Sequence, residues 1–108
     1  MIVTVFRSRL RPENIEEYYE WADRMSRLAA TMPGYISHKG FAAEDGERVT
    51  IVEFADEKGQ EGWRTRLEHV EAQKKGRKSF YTEYKLQICQ VIRESAFQER
   101  ESQEAPAR

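Results

Sequence analysis

The chain predicts an α+β domain of the split βαβ type, ordered β-α-β-β-α-β, with helices over one face of a four-stranded antiparallel sheet. Three observations predict it. Four stretches alternate with period two, an amphipathic helix separates the first two, and an Asp-Gly turn joins the second and third. A length of 108 residues fits one domain. We place the folded part at residues 1–94 and read 95–108 as a charged, disordered tail.

The first strand runs from Ile2 to Leu10, with Val3 and Val5 on one side and Ile2, Thr4, Phe6 and Leu10 on the other. Pro12 ends it, because proline cannot donate to a ladder. Asn14 with Glu17 three positions later has the pattern of a capping box. The helix that follows carries Ile15, Tyr18, Tyr19, Ala22, Met25, Ala29 and Met32 at spacings of three and four. Pro33 stops it and Gly34 turns the chain.

In the second strand, Tyr35 to Ala43, Ile36 and His38 are expected on one face and Tyr35, Ser37, Lys39 and Phe41 on the other. Glu44-Asp45-Gly46-Glu47 is the hairpin turn, and Arg48 to Ala55 the third strand. Asp56 caps the next helix, which Gly59 and Gly62 should weaken by about 1 kcal/mol each relative to alanine. Trp63 and Leu67 lie four apart, as on one helical face, and Gly76 is where the second of two short helices should end. From Tyr84 the closing strand sends Leu86, Ile88 and Gln90 one way, and Lys85, Gln87, Cys89 and Val91 the other. Cys89 reads as a small buried hydrophobe. Every strand carries apolar residues on both sides, and the helices can cover only one. The expected cover for the other is a second copy, a homodimer.

Eighteen basic and nineteen acidic side chains leave a net charge of −1, which gives no general attraction to nucleic acid or membrane. No apolar run reaches the ~20 residues of a membrane span, and the lone Cys89 suits a reducing compartment, so a cytoplasmic location is expected. His38 and His69 lack the ligand-spaced company a metal needs, so neither metal nor other cofactor is expected. His69 titrates near neutrality and can act as a general base, or pack as a cap. Trp63, Phe6, His38, Phe80 and Tyr84 are the candidate walls of a substrate pocket around it.

The opening IVTVFRSRLRPENIEEYYEWADRM, the MPGYISHKGF stretch, VEFADEKGQEGW, and Trp63, His69, Gln73, Gly76-Arg77, Phe80 and Tyr84 together resemble the antibiotic biosynthesis monooxygenase domain family, over about Met1 to Glu94. The resemblance implies a dimeric α+β barrel. It implies activities that include cofactor-free, quinone-forming oxygenation and haem degradation, alongside members with no known activity. Haem-degrading members carry an Asn on the first strand, a Trp, and a His ten residues beyond that Trp. The corresponding residues here are Phe6, Trp63 and Gln73, and an amide is a poor iron ligand. Quinone-forming members carry an Asn one turn before the Trp and a Tyr six residues after it, where this chain has Gly59 and His69. The activity this favours is cofactor-independent monooxygenation of a small electron-rich aromatic, a quinol or polyphenol. The alternative is a non-catalytic small-molecule binder using the same pocket.

Overall fold

The computed structural model describes residues 1–99. Its elements are β1 (Ile2–Leu10), α1 (Ile15–Ala30), β2 (Tyr35–Ala42), β3 (Arg48–Phe54), α2 (Glu57–Arg64), α3 (Leu67–Lys75) and β4 (Tyr81–Gln90). The strands form one antiparallel sheet in the order β2-β3-β1-β4, the ferredoxin-like arrangement the sequence predicts. Register fixes the two faces. Thr4 lies opposite Val52 and Ile88, and His38 opposite Val52, so these residues share the helix-bearing side. Val3, Val5, Val49 and Ile51 alternate onto the other side, which no element of the described chain covers.

The core sits between α1, α2 and the β3 half of the sheet. Met25, Ala29, Val52, Phe54 and Trp63 are buried together, with Phe54 and Ala29 fully excluded from solvent. Gly34 turns the chain out of α1 at φ 81°, a left-handed value that a side chain resists. Asp45-Gly46 makes the hairpin, with Gly46 at φ 92° and Ala43 N–H donating to the Glu47 carbonyl at 2.8 Å.

Several local expectations are corrected. Asn14 makes no cap for α1; its Nδ2 donates to the Ser79 carbonyl at 2.7 Å, tying the helix start to the turn before β4. Glu17 meets Lys75 at 2.9 Å instead of closing a capping box. Tyr35 joins the core side against Phe54, because the β2 register shifts between Tyr35 and Ser37. Trp63 and Leu67 stand on different helices, since the chain breaks at Thr65-Arg66, while Asp56 caps α2 as expected by accepting from Gly59 N at 2.8 Å.

Gly76 does not end a helix. The backbone stays helical through it into a π-helical turn, Gly76–Phe80, and β4 starts at Tyr81, three residues earlier than the alternation suggests. The need for glycine is steric: a Cβ at 76 would lie 2.5 Å from Cε2 of the Tyr81 ring. Cys89 is exposed on the uncovered face, not buried. Beyond β4, residues 91–99 have no regular structure, and Ile92 and Phe97 are both more than 90% exposed. The rest of the expected tail, residues 100–108, lies outside the described residues.

Candidate functional site

A cavity of about 330 Å³ opens between α1, α2, α3 and the helix-bearing face of the sheet, with all four strands contributing to its lining. His69 and all of the expected wall residues line it: Trp63, Phe6, His38, Phe80 and Tyr84. Trp63 is its fixed point. The side chain is 5% exposed, and its indole N–H donates to the Met25 carbonyl at 3.3 Å, so the ring is pinned to α1. That bond leaves Trp63 an apolar wall with no donor to offer a ligand.

Two imidazoles flank the indole. The His69 ring centroid lies 4.3 Å from Trp63, tilted by 59°, and His38 meets it edge-on at 6.0 Å. Both titrate below the ordinary histidine value because burial penalises their charged forms. For His69 the value falls to about 4, through burial first, with the positive fields of Arg64 and His38 adding and the Arg64 backbone partly opposing. His69 is therefore neutral at pH 7, and its Nδ1 is buried with no hydrogen-bond partner among the described residues. The expectation of an imidazole titrating near neutrality is corrected: burial and the adjacent guanidinium move it into the acid range.

The opposite wall is aromatic. Phe6 contacts Tyr81 at 5.3 Å and Tyr84 at 5.4 Å, while Phe80 packs edge-on to Tyr18 at 5.9 Å. Burial and the neighbouring tyrosines raise the Tyr81 phenol well above its usual range, so it stays protonated. Gln73 also faces the cavity, placing an amide there. Among the described residues there is no group of three or more His, Cys, Asp or Glu close enough together to hold a metal.

Sequence reasoning missed Gln60, Arg64, Thr4 and Tyr81, all of which line the cavity. Gln60, Trp63 and Arg64 form an i, i+3, i+4 face of α2, a spacing visible in the sequence but masked by the charged Glu57, Lys58 and Glu61 around them. Gly59 has a steric explanation: a Cβ there would meet the Pro33 carbonyl oxygen at 2.5 Å and Phe54 Cδ1 at 3.1 Å. No side chain fits at 59. The amide that reaches the cavity is the next residue, Gln60, which is 3% exposed.

Fold and site define a class: a small ferredoxin-like α+β domain holding a largely apolar, histidine-bearing cavity beneath its helices. The chain belongs to the antibiotic biosynthesis monooxygenase family, whose model matches residues 1–75. Uncharacterized protein YqjZ of Bacillus subtilis is 34% identical over 92 residues, covering 85% of this chain and 81% of that one. The jasmonate monooxygenase ABM of Pyricularia oryzae is 28% identical over 93 residues, 84% of this chain but 43% of that protein. Among solved structures, Rv0793 from Mycobacterium tuberculosis superposes with a TM-score of 0.77 at 14% identity, covering 88% of this chain and 98% of that one. SnoaB, a cofactor-independent oxygenase from Streptomyces nogalater solved as a mutant, gives 0.73 at 14% identity, covering 86% and 94%. At such identities these structural likenesses carry the fold alone.

Proposed function

We propose that the protein is a monooxygenase that works without metal or flavin on a small electron-rich aromatic, a phenol or polyphenol with a free para carbon, bound against Trp63. The observation that carries this reading is the neutral His69, with an unpartnered Nδ1, in an apolar cavity walled by Trp63 and Phe6. Family membership and one monooxygenase-named relative, the jasmonate enzyme, support it. A phenol with an unsubstituted para carbon loses its proton to His69, and the phenolate gives one electron to O2. Superoxide and phenoxyl radical combine at that carbon, and loss of water leaves the quinone. One oxygen atom enters the product and the other leaves as water. The substrate supplies all the electrons, so no separate reductant is required.

Base strength narrows the substrate. A phenol near pKa 10 transferring its proton to an imidazole at about 4 faces roughly 8 kcal/mol uphill. Substrates whose hydroxyl is acidified by a conjugated carbonyl narrow the gap, and so does an anion that offsets the field of Arg64. Gln60, whose amide reaches the cavity, is placed to orient a substrate oxygen. The same low basicity favours the second reading, a binder without turnover, which predicts saturable ligand binding and no oxygen uptake. Oxygen consumption by metal-stripped protein given 1-naphthol, whose para carbon is free, separates the two when measured against the autoxidation blank.

A homodimer completes this proposal. Val3, Val5, Val49 and Ile51 are only half-buried in the single chain, and Phe41 beside them is 46% exposed. A second copy laid on this face would remove them from water. Sedimentation at micromolar concentration tests it, a folded monomer being the contrary result.

A further inference from the structure

We infer that Arg64, assisted by Arg77, forms an anion subsite in the cavity wall, so that the ligand is an aromatic acid carrying a carboxylate beside its reacting ring. The inference rests on the oxygenase reading only for the word reacting; the anion preference is a property of the cavity itself. Two guanidinium-bearing residues line this cavity, and no aspartate or glutamate does. Arg64 Nε is buried and has no hydrogen-bond partner among the described residues. Neither arginine joins an ion pair there, although Arg7 and Arg9 both have carboxylate partners within about 3 Å. A buried, unpartnered guanidinium N–H is costly, and a carboxylate from the ligand is the partner its fork geometry fits.

The position of Arg64 makes the subsite consequential. It follows Trp63 directly at the end of α2, and its charge reaches the His69 imidazole. A carboxylate seated on Arg64 would offset that charge and leave His69 a stronger proton acceptor than in the empty cavity. Recognition of the acid and activation of the base are then one event. The α2 face of Gln60, Trp63 and Arg64 would carry it, presenting an amide, an apolar wall and a cation in sequence.

The test is anaerobic calorimetric titration of the full chain with 1-hydroxy-2-naphthoate and, separately, with its methyl ester, two probes that differ by one charge. Wild type is expected to bind the acid about 10–100-fold more tightly than the ester, the range for a charge-assisted hydrogen bond. Arg64→Gln should bring that ratio to within about twofold of one, and Arg64→Lys should retain part of it, so charge and loss of folding are told apart. Arg77→Gln should reduce the ratio less. Equal affinity for acid and ester in wild type overturns the subsite, as does a preference that survives Arg64→Gln, or binding of neither probe. Absence of oxygen uptake with 1-naphthol removes the oxygenase reading while an acid preference stands; equal binding of acid and ester beside uptake with 1-naphthol does the reverse.

Discussion

One face of one sheet is treated in two ways. On β3, the helix-side residues Val52 and Phe54 are 1% and 0% exposed, closed in by α1 and α2. On β4, the residues of the same face, Tyr84, Leu86 and Ile88, are 43%, 41% and 46% exposed. The cavity reaches from the packed Val52 and Trp63 to Tyr84 and Leu86, where the helix layer covers β4 less fully. Burying a large apolar side chain fully is worth about 1.5–3 kcal/mol, and the β4 half forgoes part of that for each of these residues. The difference separates two kinds of surface: the β2–β3 half is closed by packing, and the β1–β4 half leaves apolar side chains partly exposed.

The largest effects should fall on the packed half. Phe54→Ala is expected to cost about 3–5 kcal/mol in chemical denaturation, a large share of a small domain's stability. Leu86→Ala, on the same face two strands away, should cost under about 1.5 kcal/mol, because its side chain is already partly wet. Similar costs at the two sites would mean that the β4 half is packed as tightly as the β3 half.

Acid should act through the histidine between the halves. His69 titrates at about 4 when folded and near 6.5 when unfolded, so the unfolded chain binds more protons between those values. Its contribution is present in full above about pH 6.5 and is lost as pH falls towards 4, a span of about 3 kcal/mol. Stability measured against pH should therefore fall less steeply below pH 6.5 in His69→Gln. The same value predicts no inflection from His69 in the rate profile near pH 6.5.

Two glycines of α2 sharpen the contrast at smaller amplitude. Gly59→Ala should destabilise by about 1–3 kcal/mol, because the clash with the Pro33 carbonyl outweighs the gain in helix propensity. At Gly62 a Cβ would meet only Met32 Cε at an ordinary 3.5 Å, so Gly62→Ala should stabilise by up to about 1 kcal/mol. Thermal melts of the two variants should move in opposite directions. Deleting the chain from Ala96 onward is expected to shift the melting temperature by only a few degrees, since Phe97 is 91% exposed and anchors nothing among the described residues.

The packed half was the more legible in sequence. Alternation marked the strands and Asp45-Gly46 the hairpin, because period and turn chemistry are local signals; which faces of neighbouring strands coincide came only with the register. What escaped was set by tertiary contact. The shift at Tyr35 depends on packing against Phe54, and the glycine at 76 answers to a ring five residues on. Gln60 and Arg64 escaped notice, because a polar residue lining a cavity looks in sequence like one facing water. The acidity of His69 was hidden for a related reason: burial and the nearby Arg64 charge are properties of the assembled site.

The proposed reaction sets oxygen chemistry in the cavity beside Trp63, with His69 as the base. Oxygen-electrode measurement on metal-stripped wild type and His69→Ala, with 1-naphthol and a matched autoxidation blank, tests it most directly. Saturable uptake above the blank is expected in wild type, with a loss of about 10²–10⁴-fold in His69→Ala, the contribution of a positioned base. Uptake no faster than the blank in wild type, or unchanged turnover in the variant, would contradict it.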